Sequence, residues 1–79
     1  MVQCTVTQDC FGHLTITFLS GKDIYLQSDS DIAAFAVQCG LITAPDGWDG
    51  CPTKLPDGWF NADFENVTEC LEDYERIAK

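Results

Sequence analysis

Apolar and polar residues alternate through most of the first 28 positions, and this pattern does more than any other to limit what the chain can fold into. Val2, Cys4 and Val6 interleave with Gln3, Thr5 and Thr7; Leu14, Ile16 and Phe18 interleave with Thr15 and Thr17; Ile24 and Leu26 flank Tyr25. A period of two sends successive side chains to opposite faces of a strand, and Val, Ile and Thr favour that backbone. The breaks are short, D-C-F-G at residues 9–12 and S-G-K-D at residues 20–23, where Gly21-Lys22 suits a two-residue turn with Gly first. Three half-buried antiparallel strands in a meander are expected.

The period then changes. In S-D-S-D-I-A-A-F-A-V-Q-C-G, Ile32, Phe35, Ala36 and Cys39 share one helical face, Ser28 and Asp31 have the spacing of a capping box, and Gly40 stands where a helix would end. Residues 41–60 show no period. Within them P-D-G-W occurs twice, at Pro45 and at Pro56. Placing Pro at the second position makes each a turn, A-P-D-G and L-P-D-G, and a unit of eleven residues is too short for a stacked-repeat fold. Trp48 and Trp59 are expected to fold back over a thin core. From 63 onward, Phe64, Val67, Cys70, Leu71, Tyr74, Ile77 and Ala78 fall within about 140° of a helical wheel, which predicts one long second helix capped by Asn61 or Asp63. The expected fold is α+β, a single domain over 1–79 with a three-stranded antiparallel sheet followed by two helices packed on one face.

Thirteen acidic residues against four basic ones give a net charge of −9. Residues 1–28 account for −1, with Asp9, Asp23 and Lys22, and residues 29–79 for the other −8, with eleven acids and three bases. On the expected second helix Asp63, Glu65, Glu69, Glu72, Asp73 and Glu75 all precede the first base, Arg76. Glu72, Asp73 and Glu75 there oppose the helix dipole, and Glu65/Glu69 and Glu69/Asp73 repel, a net penalty of about 1 kcal/mol. Six carboxylates over roughly 18 Å approach the phosphate spacing of one DNA strand, about 3.4 Å. Asp46, Asp49 and Asp57 in the turn-rich loop are candidates for a second row, with Asp29 and Asp31 nearby. Such a chain repels nucleic acid and is expected not to bind it directly.

Other chemistry is sparsely represented. Five cysteines, an odd number, fall largely on apolar positions, which fits free buried thiols. The nearest metal motif is C-F-G-H, and a site would need Cys10, His13, Cys51 and a further thiol. His13 has no partner in a catalytic sequence pattern, so no catalytic residue, cofactor or resident metal is expected. No apolar run approaches the length of a membrane span, the longest being 32–37, and no basic-then-apolar leader opens the sequence, so a cytoplasmic protein is expected.

In size, acidity and element order the chain resembles the small phage-type anti-CRISPR proteins that act as DNA mimics against type I systems, type I-C among them. The resemblance implies a non-enzymatic, monomeric inhibitor in the bacterial cytoplasm that occupies the DNA-binding surface of a type I CRISPR surveillance complex, Cascade, with Asp63, Glu65, Glu69, Glu72, Asp73, Glu75, Asp46, Asp49 and Asp57 as the contact residues read from the charge pattern. Two other readings stand beside it: an adaptor anchored on Trp48, Trp59 and Phe60, and a small metal-binding regulator.

Overall fold

Strands β1 (Val2–Gln8), β2 (Leu14–Phe18) and β3 (Asp23–Leu26) form where alternation predicts them. The computed structural model describes residues 1–50 and 53–79. Pairing is antiparallel, with Val6 opposite Ile16 and Ile16 opposite Ile24, so the apolar sets of three strands fall on one face. The turn between β2 and β3 differs from expectation. Phe18 N–H donates to Lys22 C=O at 2.9 Å and Gly21 N–H to Phe18 C=O at 2.9 Å, enclosing a three-residue loop whose last residue, Gly21, has φ +90°. Gly21 therefore closes this turn in the left-handed region instead of opening it.

Helix α1 (Asp29–Gln38) lays Ile32, Ala33, Phe35 and Ala36 on the apolar face of the sheet. Ser28 sits at its N-cap without a side-chain cap bond; its hydroxyl meets that of Ser30, so the capping box does not form. The C-terminus closes as expected. Gly40 N–H donates to Val37 C=O and Leu41 N–H to Ala36 C=O, a Schellman pair around Gly40 at φ +74°.

The principal correction lies in the C-terminal segment, where the long second helix is absent. Phe64–Asn66 makes a single 3₁₀ turn, Glu69–Cys70 forms β4, and only Glu72–Ile77 is α-helical, as α2. The sheet thus has four strands in the order β3-β2-β1-β4, with Val2 opposite Cys70 and Gln3 opposite Glu69. Three forces favour the break. Val67 and Thr68 are β-branched and resist helix, the Glu65/Glu69 and Glu69/Asp73 repulsions vanish, and the edge of β1 offers backbone partners, as Cys4 N–H to Thr68 C=O at 2.9 Å shows. Breaking also reverses the dipole term. Glu72, Asp73 and Glu75 now occupy the first turn of a short helix and Arg76 its last.

Phe35, Phe64, Leu14, Ile16 and Ile32 centre the core. Phe35 stacks on Phe64 at 6.3 Å and meets Tyr74 of α2 edge-on at 5.1 Å, which ties the C-terminal segment to α1. Lys79 and Asp23 exchange two backbone hydrogen bonds, covering the outer edge of β3. On the opposite face of the sheet Gln3, Thr5, Thr7, Thr17 and Tyr25 are exposed, with no helix over them among the described residues. Among the described residues no helix is long and apolar enough to cross a membrane.

Candidate functional site

The carboxylates divide into groups set by the broken C-terminal segment. Asp63 and Glu69 line one cleft, about 330 Å³, together with Met1, Cys39 and Asn66, and Glu72 reaches the Met1 amino group at 4.0 Å. Glu69 also borders a second cleft, about 500 Å³, on the open face of the sheet beside Gln3, Thr5 and Thr17. Asp73 pairs with Arg76 at 3.2 Å, Asp63 accepts from Asn66, and Glu75 accepts from the Ser20 hydroxyl at 3.2 Å across the β2–β3 turn. Glu65 and Glu69 are exposed. The six acids therefore surround β4 on three elements, and the single row along one helix axis expected from sequence does not exist.

The loop acids are arranged separately. In each P-D-G-W the Trp N–H donates to the Pro carbonyl, at 3.1 Å for Pro45 and 3.3 Å for Pro56, with Gly47 at φ +73° and Gly58 at φ +79°. Proline thus holds the first turn position and glycine the third, one place earlier than expected; the third position of such a turn needs a positive φ. Asp46 and Asp49 flank Trp48 around a cleft of about 240 Å³ with Lys54, and Asp57 belongs to the second turn. Trp48 and Trp59 are half-buried, with Trp59 against the core, so they do not form an exposed pair; Phe60 is 51% exposed.

Sequence reasoning missed the constellation at the β1–β2 turn. Asp9 Oδ1 accepts from the N–H of Phe11 at 2.9 Å and of His13 at 3.0 Å, and Oδ2 accepts from the Tyr25 hydroxyl at 3.0 Å. His13 Nδ1 lies 2.8 Å from the same hydroxyl. Because Tyr25 donates its proton to Asp9, His13 Nδ1–H is the donor to the hydroxyl oxygen. Partial desolvation pushes the Asp9 carboxyl up, but the bonds from His13, Tyr25 and Phe11 outweigh it and hold it below the usual carboxylate range. Desolvation and then the bond to Asp9 raise Tyr25. An Asp just before a tight turn was the available signal; Tyr25 is brought in by strand register, opposite Thr15.

Gly12 in that turn has φ +84°, and a Cβ there would lie 2.6 Å from the Phe60 ring. The ring therefore rests directly on the turn. Beside it a cleft of about 320 Å³ runs between Asp9, Cys10 and Gly12 on one wall and Phe60, Asn61 and Ala62 on the other. Phe11, 74% exposed, projects from the same turn.

The thiols Cys4, Cys10, Cys39 and Cys70 are free; Cys51 lies outside the described residues. Burial pushes Cys39 up to about 11 and Cys70 up to about 12, so both are unreactive at neutral pH. Among the described residues no three His, Cys, Asp or Glu side chains are grouped to hold a metal, and the metal reading through Cys51 falls outside them. No protein-family model, curated protein or solved structure matches the chain.

Proposed function

We propose that this chain is a non-enzymatic inhibitor that sets carboxylates against a basic, DNA-binding protein surface, and that the surface belongs to a type I CRISPR surveillance complex in a bacterial cytoplasm. One observation carries the reading: thirteen acids stand against four basic side chains, and nine of the acids, all but Glu75 exposed, lie in the segment from Asp63 to Glu75 and at the P-D-G turns. Competition is the mechanism. Lysines and arginines that neutralise phosphates meet carboxylates, and long-range attraction speeds the encounter. With the single row gone, the imitation rests on the carboxylates spread over the 3₁₀ turn, β4 and α2.

Immobilised protein should retain purified Cascade, and excess duplex DNA should displace it. Converting Glu65, Glu69 and Glu72 to Gln and Asp73 to Asn should weaken binding by about 1 to 3 kcal/mol, mainly through slower association, and flatten its salt dependence. Unchanged binding by the folded quadruple variant would overturn the reading.

A second reading, the aromatic adaptor, is favoured by Phe60, half exposed yet seated on Gly12. The half-buried Trp48 and Trp59 give it less support.

A further inference from the structure

We propose that the cleft between the β1–β2 turn and Phe60 is an arginine-binding notch, which receives one guanidinium from the basic surface of a protein partner. The inference deepens the function proposed above and rests on that reading for the partner's charge.

The chemistry of the walls carries it. Asp9 supplies a carboxylate whose two oxygens offer about four acceptor positions. Two N–H groups and the Tyr25 hydroxyl take three of them. The remaining acceptor is on Oδ2, which the Tyr25 hydroxyl holds in place and from which His13 Nδ1 stands 4.0 Å away. Asn61, on the opposite wall, adds a polar residue. Phe60 adds an aromatic ring that is half exposed but anchored, because it lies on Gly12 and meets Trp59 edge-on at 5.4 Å. A carboxylate facing a held ring matches a flat, weakly hydrated cation that stacks and donates in its own plane. Arginine has that form, whereas a lysine ammonium is compact and strongly hydrated. An apolar side chain would leave the remaining Asp9 acceptor unpaired, and a second copy of this chain would bring a further −9 to the contact. At about 320 Å³ the cleft is of a size to take a single side chain.

The test uses the intact, isotope-labelled protein alone, so it succeeds or fails independently of the Cascade competition. N-acetyl-arginine methylamide, the lysine analogue and the norleucine analogue are titrated in turn while backbone amide resonances are followed. The expected result is saturable movement confined to Gly12, Phe60, Asn61 and their neighbours, with arginine bound about threefold or more tighter than lysine and norleucine without effect. Phe60→Leu, which keeps apolar cover on Gly12 but removes the π face, should abolish the preference for arginine while the spectrum stays dispersed. Equal response to lysine, response to norleucine, movement spread over Asp46, Glu65 and Glu69, or no movement at all would each overturn the proposal. If arginine binds the notch but DNA fails to displace Cascade, the mimic reading falls and the notch stands.

Discussion

Asp9 and Glu69 are both exposed carboxylates at the ends of the sheet, yet they are held in opposite ways. Asp9 accepts two backbone N–H groups and a tyrosine hydroxyl, so most of its acceptor capacity serves the β1–β2 turn. Glu69 lies at the other end of β1, opposite Gln3, where it borders two clefts. The first carboxylate builds structure, and the second faces outward on structure built by others, namely Cys70 beneath it and Phe64 before it. Chemical type alone thus says little about an acid in this protein; what it accepts from decides whether it is framework or available charge.

The two ends of the sheet differ most where the presenting segment is anchored. Phe64→Ala should cost about 3 to 5 kcal/mol by emptying the space beneath Phe35, the largest effect expected here. Chemical denaturation would measure it, and a loss below about 1 kcal/mol would show that the acidic segment is not tied to the core through this ring. Alkali should attack the same end. Cys70 is raised from near 9 to about 12 and Cys39 to about 11, chiefly by burial, and burial also raises Tyr74. A folded pKa above the unfolded one gives stability that is complete below pH 9 and lost as pH rises toward 12. Thermal melts across pH 8 to 12 under reducing conditions should show that decline, and Cys70→Ala should flatten it.

At the turn end Gly12→Ala should cost about 1 to 3 kcal/mol, from a left-handed backbone and a methyl driven into Phe60. Combining it with Phe60→Ala should cost less than the sum of the two changes, since the clash disappears and only the backbone strain remains. Additive effects in that cycle would show that Phe60 does not rest on the turn.

What was legible in the sequence follows the same division. The meander was readable because Val2 to Leu26 carry a period that only one backbone satisfies, and α1 because Ile32, Phe35 and Ala36 share a face that ends at Gly40. The segment from Asp63 was misread because Phe64, Val67, Cys70 and Tyr74 satisfy a helical wheel equally well as separate anchors. The choice was made by a distant partner, the open edge of β1, which no local pattern displays. The Asp9–His13–Tyr25 network was missed for a related reason. Tyr25 joins it through strand register, twelve residues from His13, while Gly12 is explained only by a ring from residue 60. The placement of the two prolines failed more locally: both neighbouring frames fit P-D-G, and the hydrogen bond to the tryptophan selects the later one.

Removing the charge of Asp9 should be milder than reshaping its turn. Asp9→Asn keeps the shape but weakens three hydrogen bonds, one of them from Tyr25, and should lower the melting temperature at pH 7 by a few degrees. The sign with pH follows from a carboxyl held below its usual range: the contribution is present above about pH 4 and is lost as pH falls through the lower folded value. Parent and variant should therefore converge in stability toward pH 2. A gap that persists undiminished there would mean that the charge of Asp9 is not what the turn uses.

The smallest effect on stability should come from the acids that face outward, and its smallness is what the comparison requires. Glu65→Gln and Glu69→Gln together remove two charges from exposed positions whose side chains make no hydrogen bond among the described residues. The expected change is within about 0.5 kcal/mol, with a slight gain at low salt because neighbouring acids repel less. The same pair should slow association with a basic partner at low salt more than it changes dissociation, since charges at a rim act mainly on the encounter. Asp9→Asn should differ in the first result, losing stability where the Glu pair does not, and should weaken association by removing the carboxylate that the notch offers to a partner arginine. If Glu65 and Glu69 prove as important to folding as Asp9, the acids around β4 are framework as well, and the surplus of carboxylates is no longer evidence for a partner.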